Sequence, residues 1–246
     1  MPNLAGFTHR FIEFLMKLMV QMEKRKFSKT PYEEGENRLS GIEYRTSSAF
    51  DLFDKGEYLK AEKIYDECLN EIDKNSSEYN QVLHAMGYVK SHLNKFADAR
   101  DIYKELKNLA KNVEEEAIAI HQMGMVERMA KNYEKALHHL DKEHRLLSDY
   151  GLDNYLKLSA NFYERAYIHL LNYELKTAEK LMNKCLEYAQ LCDDKVCLGC
   201  SYRGLGEVYK TNGNNIFATE CFERAIMAFR EANDQIAVRE IEALMK

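Results

Sequence analysis

The stretch GLGEVYKTNGNNIFATECFERAI, residues 204–226, is the clearest copy of a unit that recurs along most of this chain. Before its turn, apolar and small residues follow the i, i+3, i+4, i+7 spacing of one helical face, and the same spacing returns after the turn. Gly213 and the asparagines beside it tolerate the left-handed backbone that a helix end requires. Gly206 and Ala218 are small where two helices would cross. The stretch therefore predicts a hairpin of two short helices.

Four further copies of this unit lie upstream. The small residues that begin each second helix are Ala61, Ala99, Ala136, Ala178 and Ala218, at spacings of 38, 37, 42 and 40 residues. Self-similarity at such a period indicates a repeat architecture. No proline follows Pro31, so proline does not prevent any later residue from lying in a helix. We predict an all-α fold, an α-solenoid of five tandem hairpins over residues 41–246, in which a C-terminal helix closes the stack.

Residues 1–40 are predicted to form an amphipathic helix followed by a linker. The apolar side chains that share one face of this helix are Leu4, Phe7, Phe11, Phe14, Leu15, Leu18 and Met22. Such a stripe must be covered. We expect it to pack on the first repeat or on a second copy of the chain, giving a homodimer through residues 4–26; attachment to a membrane surface is the alternative. Glu13 and Lys17 interrupt the apolar run, so neither a secretory signal nor a spanning helix is predicted.

Charge and motifs narrow the class of function. A formal net charge of −5 argues against nucleic-acid binding, which requires a basic surface. A Gly-rich phosphate loop, a G-x-S-x-G elbow and a paired nucleophile and base are all missing from the sequence. We therefore predict a cytoplasmic, non-enzymatic protein with reduced cysteines, no cofactor and no catalytic residue.

Four cysteines fall close together in the sequence, namely Cys185, Cys192, Cys197 and Cys200. A zinc site would need four thiolates in tetrahedral geometry. However, Cys185 occupies a packing position of the repeat, and Cys197 and Cys200 lie one turn apart on one helix. We predict core or surface thiols rather than a metal site, and zinc binding is the alternative.

The recurring unit resembles the tetratricopeptide repeat (TPR), whose signature combines Leu-Gly, a Gly-x-Tyr turn and a later Ala, aromatic and Ala. The matching residues include Gly56, Tyr58, Ala61 and Tyr65; Gly87, Phe96, Ala99 and Tyr103; Gly124, Tyr133 and Ala136; and Leu205, Gly206, Tyr209, Gly213, Ala218, Phe222 and Ala225. The fourth unit departs from this pattern, because it lacks the turn glycine and has Leu175 in place of the aromatic residue. Five copies of the unit, aligned in the same register, cover about residues 41–246.

In TPR proteins the first helices of successive units line a concave face that binds peptides or protein segments. The resemblance therefore implies an adaptor or scaffold that binds a protein or peptide segment. The residues expected to face this groove are Phe50, His84, Tyr88, His121, Gln122, Met125, Arg128, Tyr163, Tyr167 and Arg203. Aromatic, Met and Arg side chains suit recognition. For each residue the alternative is packing on the next helix.

The long units also resemble the repeat domains of Gram-positive peptide-pheromone receptors of the Rap and PlcR type. Those receptors carry an N-terminal DNA-binding or three-helix effector domain, which forty residues are too few to form. Peptide sensing is therefore an alternative to the adaptor role, as is an oligomerising scaffold that associates through the N-terminal helix. In a Rap-like phosphatase, a side chain such as Gln21 would have to act on a phosphorylated partner.

Overall fold

A computed structural model describes residues 41–150 and 154–246, and within these ranges the chain forms α-helices and no strands. The helices are α1 (Gly41–Asp54), α2 (Tyr58–Glu71), α3 (Ser77–His92), α4 (Phe96–Leu109), α5 (Val113–Met129), α6 (Tyr133–Asp149), α7 (Tyr155–Leu171), α8 (Leu175–Leu191), α9 (Lys195–Thr211), α10 (Asn215–Glu231) and α11 (Gln235–Leu244). The all-α solenoid class predicted from the sequence is confirmed. The segment predicted to form the N-terminal helix, with its apolar stripe and Gln21, lies outside the described residues, so the homodimer stays a prediction.

The described helices belong to two compact units, residues 41–139 and residues 140–246. In the first unit, α1 packs on α2, α2 on α3, α3 on α4 and α4 on α5. In the second, α7 packs on α8, α8 on α9, α9 on α10 and α10 on α11, and α7 also contacts α9. Packing between neighbours in sequence is the pattern of a helical repeat, in which each hairpin buries its apolar face on the next.

Small residues allow the two helices of a hairpin to approach closely. The alanine at the start of each second helix is buried, as the sequence pattern indicates, at Ala61, Ala99, Ala136, Ala178 and Ala218. A Cβ atom added at Gly206 would lie 2.5 Å from the ring of Phe222 on α10, and one at Gly87 would lie 2.6 Å from the ring of Tyr103 on α4. These glycines therefore let the backbone of a first helix lie against an aromatic ring of the second.

Several helices begin at a side chain that caps them. The capping residues whose side chains accept a hydrogen bond from a backbone N–H three residues later are Ser76, Asn112, Asn154, Asp194, Asn214 and Asp234. Each such bond satisfies an N–H that has no partner within its own helix. The caps fix where α3, α5, α7, α9, α10 and α11 begin.

Seven of the turns between the described helices contain a residue in the left-handed conformation, which is glycine at Gly56 and Gly213 and another residue type in the other five. In the fourth hairpin this residue is Tyr173, with φ of 60°. The N–H of Glu174 then donates to the carbonyl of His169 at 2.9 Å, closing the helix end. The missing glycine of this unit therefore does not change its turn.

We expect Tyr173→Gly to raise the free energy of unfolding by about 1 kcal/mol, because glycine adopts positive φ without the steric cost that other residues bear. The tyrosine side chain is 79% exposed, so its removal loses little packing. Chemical denaturation measures the change. As a matched control, Lys180→Gly on the exposed surface of α8 should lower stability by about 1 kcal/mol. A loss of stability in both variants would contradict the expectation.

Candidate functional site

The first unit contains seven of the residues that the sequence assigns to a binding groove. They are Phe50 on α1, His84 and Tyr88 on α3, and His121, Gln122, Met125 and Arg128 on α5. Phe50 is half-buried, and the other six are buried. This burial gives the six side chains packing contacts, which is the alternative that the sequence leaves open for each groove residue, and their binding of a partner stays a prediction.

His84 lies in a cluster of aromatic rings. Its ring centre is 5.1 Å from that of Tyr88 and 5.5 Å from that of Tyr103, both in edge-on geometry. Burial, with a smaller contribution from His121 on α5, lowers the pKa of His84 to about 3. The imidazole is therefore neutral near pH 7 and offers one donor and one acceptor. Within the described residues neither ring nitrogen has a hydrogen-bond partner.

Gln122 is another buried polar side chain with unused hydrogen-bonding capacity. Its side chain is 1% exposed, and in the described part of the chain neither amide atom has a hydrogen-bond partner. Most buried polar atoms in proteins are paired, so each exception needs an explanation. Helices α3 and α5 thus bury an imidazole and a carboxamide whose hydrogen bonds the described residues do not make.

An ion pair holds α5 against α4. Arg100 donates to the carboxylate of Glu127 at 2.7 and 3.0 Å, and the side-chain amide of Asn132 donates to the same carboxylate at 2.7 Å. The hydrogen bond from Arg100 lowers the pKa of Glu127 against the opposing effect of burial. The ion pair between Arg100 and Glu127 therefore positions the C-terminal half of α5, which includes Arg128.

The second unit contains the other three predicted residues, Tyr163 and Tyr167 on α7 and Arg203 on α9. The two tyrosine rings stack with centres 5.9 Å apart. Arg203 is buried and donates to Glu207 at 2.9 Å and to Glu240 on α11 at 3.0 Å. The sequence assigns Arg203 to the binding groove, whereas in the structure two carboxylates of the chain itself engage its guanidinium. The ion pair links two successive first helices, α9 and α11.

The clustered cysteines belong mainly to the core of the second unit. Cys185, Cys197 and Cys200 are buried, and Cys192 is half-buried. Burial raises the pKa of Cys185 to about 11, and it raises the pKa values of Cys197 and Cys200 well above the usual range. Thiols with such pKa values stay protonated, and metals bind the thiolate. Across residues 41–150 and 154–246, no three His, Cys, Asp or Glu side chains are grouped so that they could hold a metal.

A cavity of about 110 Å³ lies between α3, the end of α4 and α5. Its lining residues are Ser77, Asn80, Gln81 and His84 on α3, Leu106 on α4, Lys111 in the following turn, and Glu115, Ile118 and Ala119 on α5. Of these, sequence reasoning selected His84. The signal for the other three α3 residues was available, because the four α3 residues share the i, i+3, i+4, i+7 spacing and form a polar stripe on a mostly buried helix.

None of the described helices combines the length and the apolar character that crossing a bilayer requires.

The chain resembles solved structures of repeat proteins, although it matches no family model and no curated protein. BtubC (BKLC) from P. vanneervenii is 16% identical with a TM-score of 0.57, covering 94% of this chain and 93% of its own. A Rap protein in complex with Competence and Sporulation Factor is 18% identical with a TM-score of 0.60, covering 96% of this chain and 64% of its own. The TPR-like repeats of a Podosopora anserina kinesin light chain are 12% identical with a TM-score of 0.55, covering 81% and 99%.

At sequence identities of 12–18%, the similarity to these structures is evidence for a shared fold alone. The chain is therefore an all-α protein of TPR-like helical repeats, and the resemblance inferred from the sequence is confirmed at that level. The similarity to a Rap protein agrees with the long hairpins, whose helices reach 17 residues from α5 to α10.

Proposed function

We propose that this chain is a cytoplasmic, non-enzymatic adaptor that binds a peptide or an extended protein segment along its first helices, with α3 and α5 at the centre of the contact. The TPR-like fold supports this proposal, because stacked first helices present side chains on a rigid scaffold and binding then costs little ordering of the receptor. The Rap neighbour, whose structure includes Competence and Sporulation Factor, supports it by analogy of fold alone.

The side chain of Gln122 is the observation that carries the proposal. A carboxamide presents a donor and an acceptor side by side, and a peptide group offers the complementary pair. Burying such a group without hydrogen bonds costs about 1–3 kcal/mol. A bound backbone that displaced the side chains covering Gln122, and supplied a carbonyl and an N–H to it, would remove this cost. The same reasoning applies to the neutral imidazole of His84 on α3.

We expect Gln122→Leu to separate stability from binding. Leucine has a similar size and no polar atoms, so the free variant should gain about 1 kcal/mol in its free energy of unfolding. Capture of peptides from a random-sequence phage-displayed library by the full chain should fall about tenfold or more, since one well-made hydrogen-bond pair is lost. Chemical denaturation and phage titres after capture give the two measurements.

Gln190→Leu is the matched control, because Gln190 is exposed on α8. It should change neither stability nor capture appreciably. If Gln122→Leu captured peptides as well as the natural chain does, Gln122 on α5 would not be part of the binding surface. Failure of the natural chain to enrich any peptide would overturn the proposed function itself.

A further inference from the structure

We infer that Cys192 and Cys197 form a pair of thiols that a hydroperoxide oxidises to an intramolecular disulfide, so that the turn between α8 and α9 is a site of reversible oxidation. Cys192 is the residue at which α8 ends, and Cys197 lies in the first turn of α9. Both belong to the unit of residues 140–246, whereas α3 and α5 belong to residues 41–139. The inference is therefore independent of the proposed adaptor role.

A short connection brings the two cysteine side chains into contact. Asp193 adopts the left-handed conformation, with φ of 49°, and reverses the chain after Cys192. Asp194 then caps α9, because its carboxylate accepts a hydrogen bond from the backbone N–H of Cys197 at 2.9 Å. In this arrangement the Cys197 thiol donates a hydrogen bond to the Cys192 sulfur. A disulfide requires two cysteines whose side chains point toward each other, and this contact between the thiols meets the requirement.

The backbone around Cys192 differs from that of the turn between α10 and α11, which joins the same kinds of helix in the next unit. Before α11, the N–H of Asp234 donates to the carbonyl of Phe229 at 2.9 Å. Before α9, the corresponding carbonyl, that of Ala189, accepts instead from the Cys192 thiol at 3.3 Å. The corresponding N–H, that of Asp194, donates to the Cys192 sulfur. The turn therefore offers this sulfur an acceptor when it is a thiol and a donor when it is a thiolate.

These contacts make Cys192 the cysteine at which oxidation begins. The hydrogen bond from Cys197, together with that from the Asp194 N–H, lowers the pKa of Cys192 against the opposing effects of burial and of the Asp194 carboxylate. The thiolate is the form that reacts with peroxides, and Cys192 is half-buried, so a small oxidant can reach it. Burial raises the pKa of the other five cysteines of the chain, namely Cys68, Cys185, Cys197, Cys200 and Cys221.

With hydrogen peroxide as the oxidant, the reaction has two steps. The Cys192 thiolate attacks one peroxide oxygen, the O–O bond breaks, and Cys192 becomes a sulfenic acid; the hydroxide that leaves takes up the proton that Cys192 released and becomes water. The Cys197 sulfur then attacks the Cys192 sulfur, so that the S–S bond forms and the S–O bond breaks. The second hydroxide takes the Cys197 proton and becomes water. Two electrons pass from the two thiols to one peroxide molecule, which balances the reaction.

The two cysteines have different roles because their surroundings differ. Cys197 is fully buried, and burial, with a further contribution from the hydrogen bond that it donates to Cys192, raises its pKa. It stays protonated and out of reach of the oxidant, so it acts second, on a sulfur that it already contacts. Cys200 lies one turn further along α9 and is also fully buried. An oxidant reaches neither Cys197 nor Cys200 directly, so a bond between those two is not expected.

The direct test treats the reduced, folded full chain with hydrogen peroxide, blocks the remaining thiols with N-ethylmaleimide and digests the protein with trypsin. Trypsin cleaves after Lys195, between the two cysteines, and also after Lys184 and Arg203. Mass spectrometry without reductant should find peptides 185–195 and 196–203 joined, with fragment ions that place the bond between Cys192 and Cys197. Dithiothreitol should separate the two peptides. Peptides that stay unlinked, or a bond between any other two cysteines, would overturn the inference.

Two variants test the order of the steps, and alanine suits both because Ala232 and Ala237 hold the corresponding positions before α11. Cys197→Ala should stop at the Cys192 sulfenic acid, which dimedone labels about tenfold faster than it labels Cys221, a half-buried thiol of raised pKa. Cys192→Ala should form no disulfide, whereas the control Cys221→Ala should form it at the natural rate. If circular dichroism shows that Cys197→Ala is unfolded, Cys197→Ser takes its place. Equal labelling of Cys192 and Cys221 would contradict the assigned roles.

Discussion

Replacing Gly206 by valine is expected to lower the free energy of unfolding by about 3 kcal/mol. Valine is a better helix former than glycine by a few tenths of a kcal/mol, which alone would stabilise α9 slightly. The packing term is larger and has the opposite sign. A Cβ at this position would lie 2.5 Å from the ring of Phe222, which is itself buried in the core. Forcing extra carbons into a filled core costs about 1–3 kcal/mol or more.

Chemical denaturation with a double-mutant cycle identifies the cause of this loss. Phe222→Leu shortens the side chain that meets the new methyl groups, so the double variant should be more stable than the sum of the single changes predicts. Gly41→Val is the matched control, because a Cβ on Gly41 would meet no atom within 4 Å. If Gly206→Val were as stable as the natural chain, the close approach of α9 and α10 would be wrong.

Acidification is expected to destabilise the natural chain more than a His84→Phe variant. The pKa of His84 is about 3 in the folded chain, and in the unfolded chain it returns to its ordinary value of 6.5. Below pH 6.5 the unfolded chain therefore binds a proton that the folded chain does not, so stability falls as the pH falls. Between pH 6.5 and pH 4.5 this contribution amounts to about 2–3 kcal/mol, at 1.36 kcal/mol per pKa unit.

The measurement compares the free energy of unfolding at several pH values in the two proteins. His121, Lys111 and Glu115 lie near His84, but they are present in both chains and their contributions largely cancel in the difference. Equal slopes for the natural chain and His84→Phe would mean that this imidazole is not buried in its neutral form.

The sequence could predict the hairpins because their determinants are local. Helical spacing, the marker alanines and glycines such as Gly206 lie within one repeat, and the structure uses them as the pattern indicates. Which of the predicted groove residues are already engaged by other side chains of the chain could not be predicted in this way. Arg203 is engaged by Glu240, 37 residues away, and such a pairing depends on how successive first helices pack. The cavity between α3 and α5 could not be predicted either, because its lining residues come from two different hairpins.

The turn at Tyr173 shows a different limit. Sequence reasoning treats a left-handed position as a place for glycine, because other residues carry a steric cost of about 1–2 kcal/mol there. The structure has a tyrosine in that conformation, and the hydrogen bond from Glu174 to His169 closes the turn as it would with glycine. A cost of this size can be carried by a folded helix pair, so the residue type at a turn is a weaker signal than the helical periodicity around it.

These turns also bear on how such a repeat can diverge. Among the described residues, five left-handed positions that are not glycine, Asn94, Lys131, Tyr173, Asp193 and Asn233, are occupied by residues as different as lysine, tyrosine and aspartate. A connection that accepts so wide a range of side chains imposes almost no constraint on the coding sequence there. Duplicated hairpins can therefore accumulate substitutions at their corners, each at a modest thermodynamic penalty, and still stack.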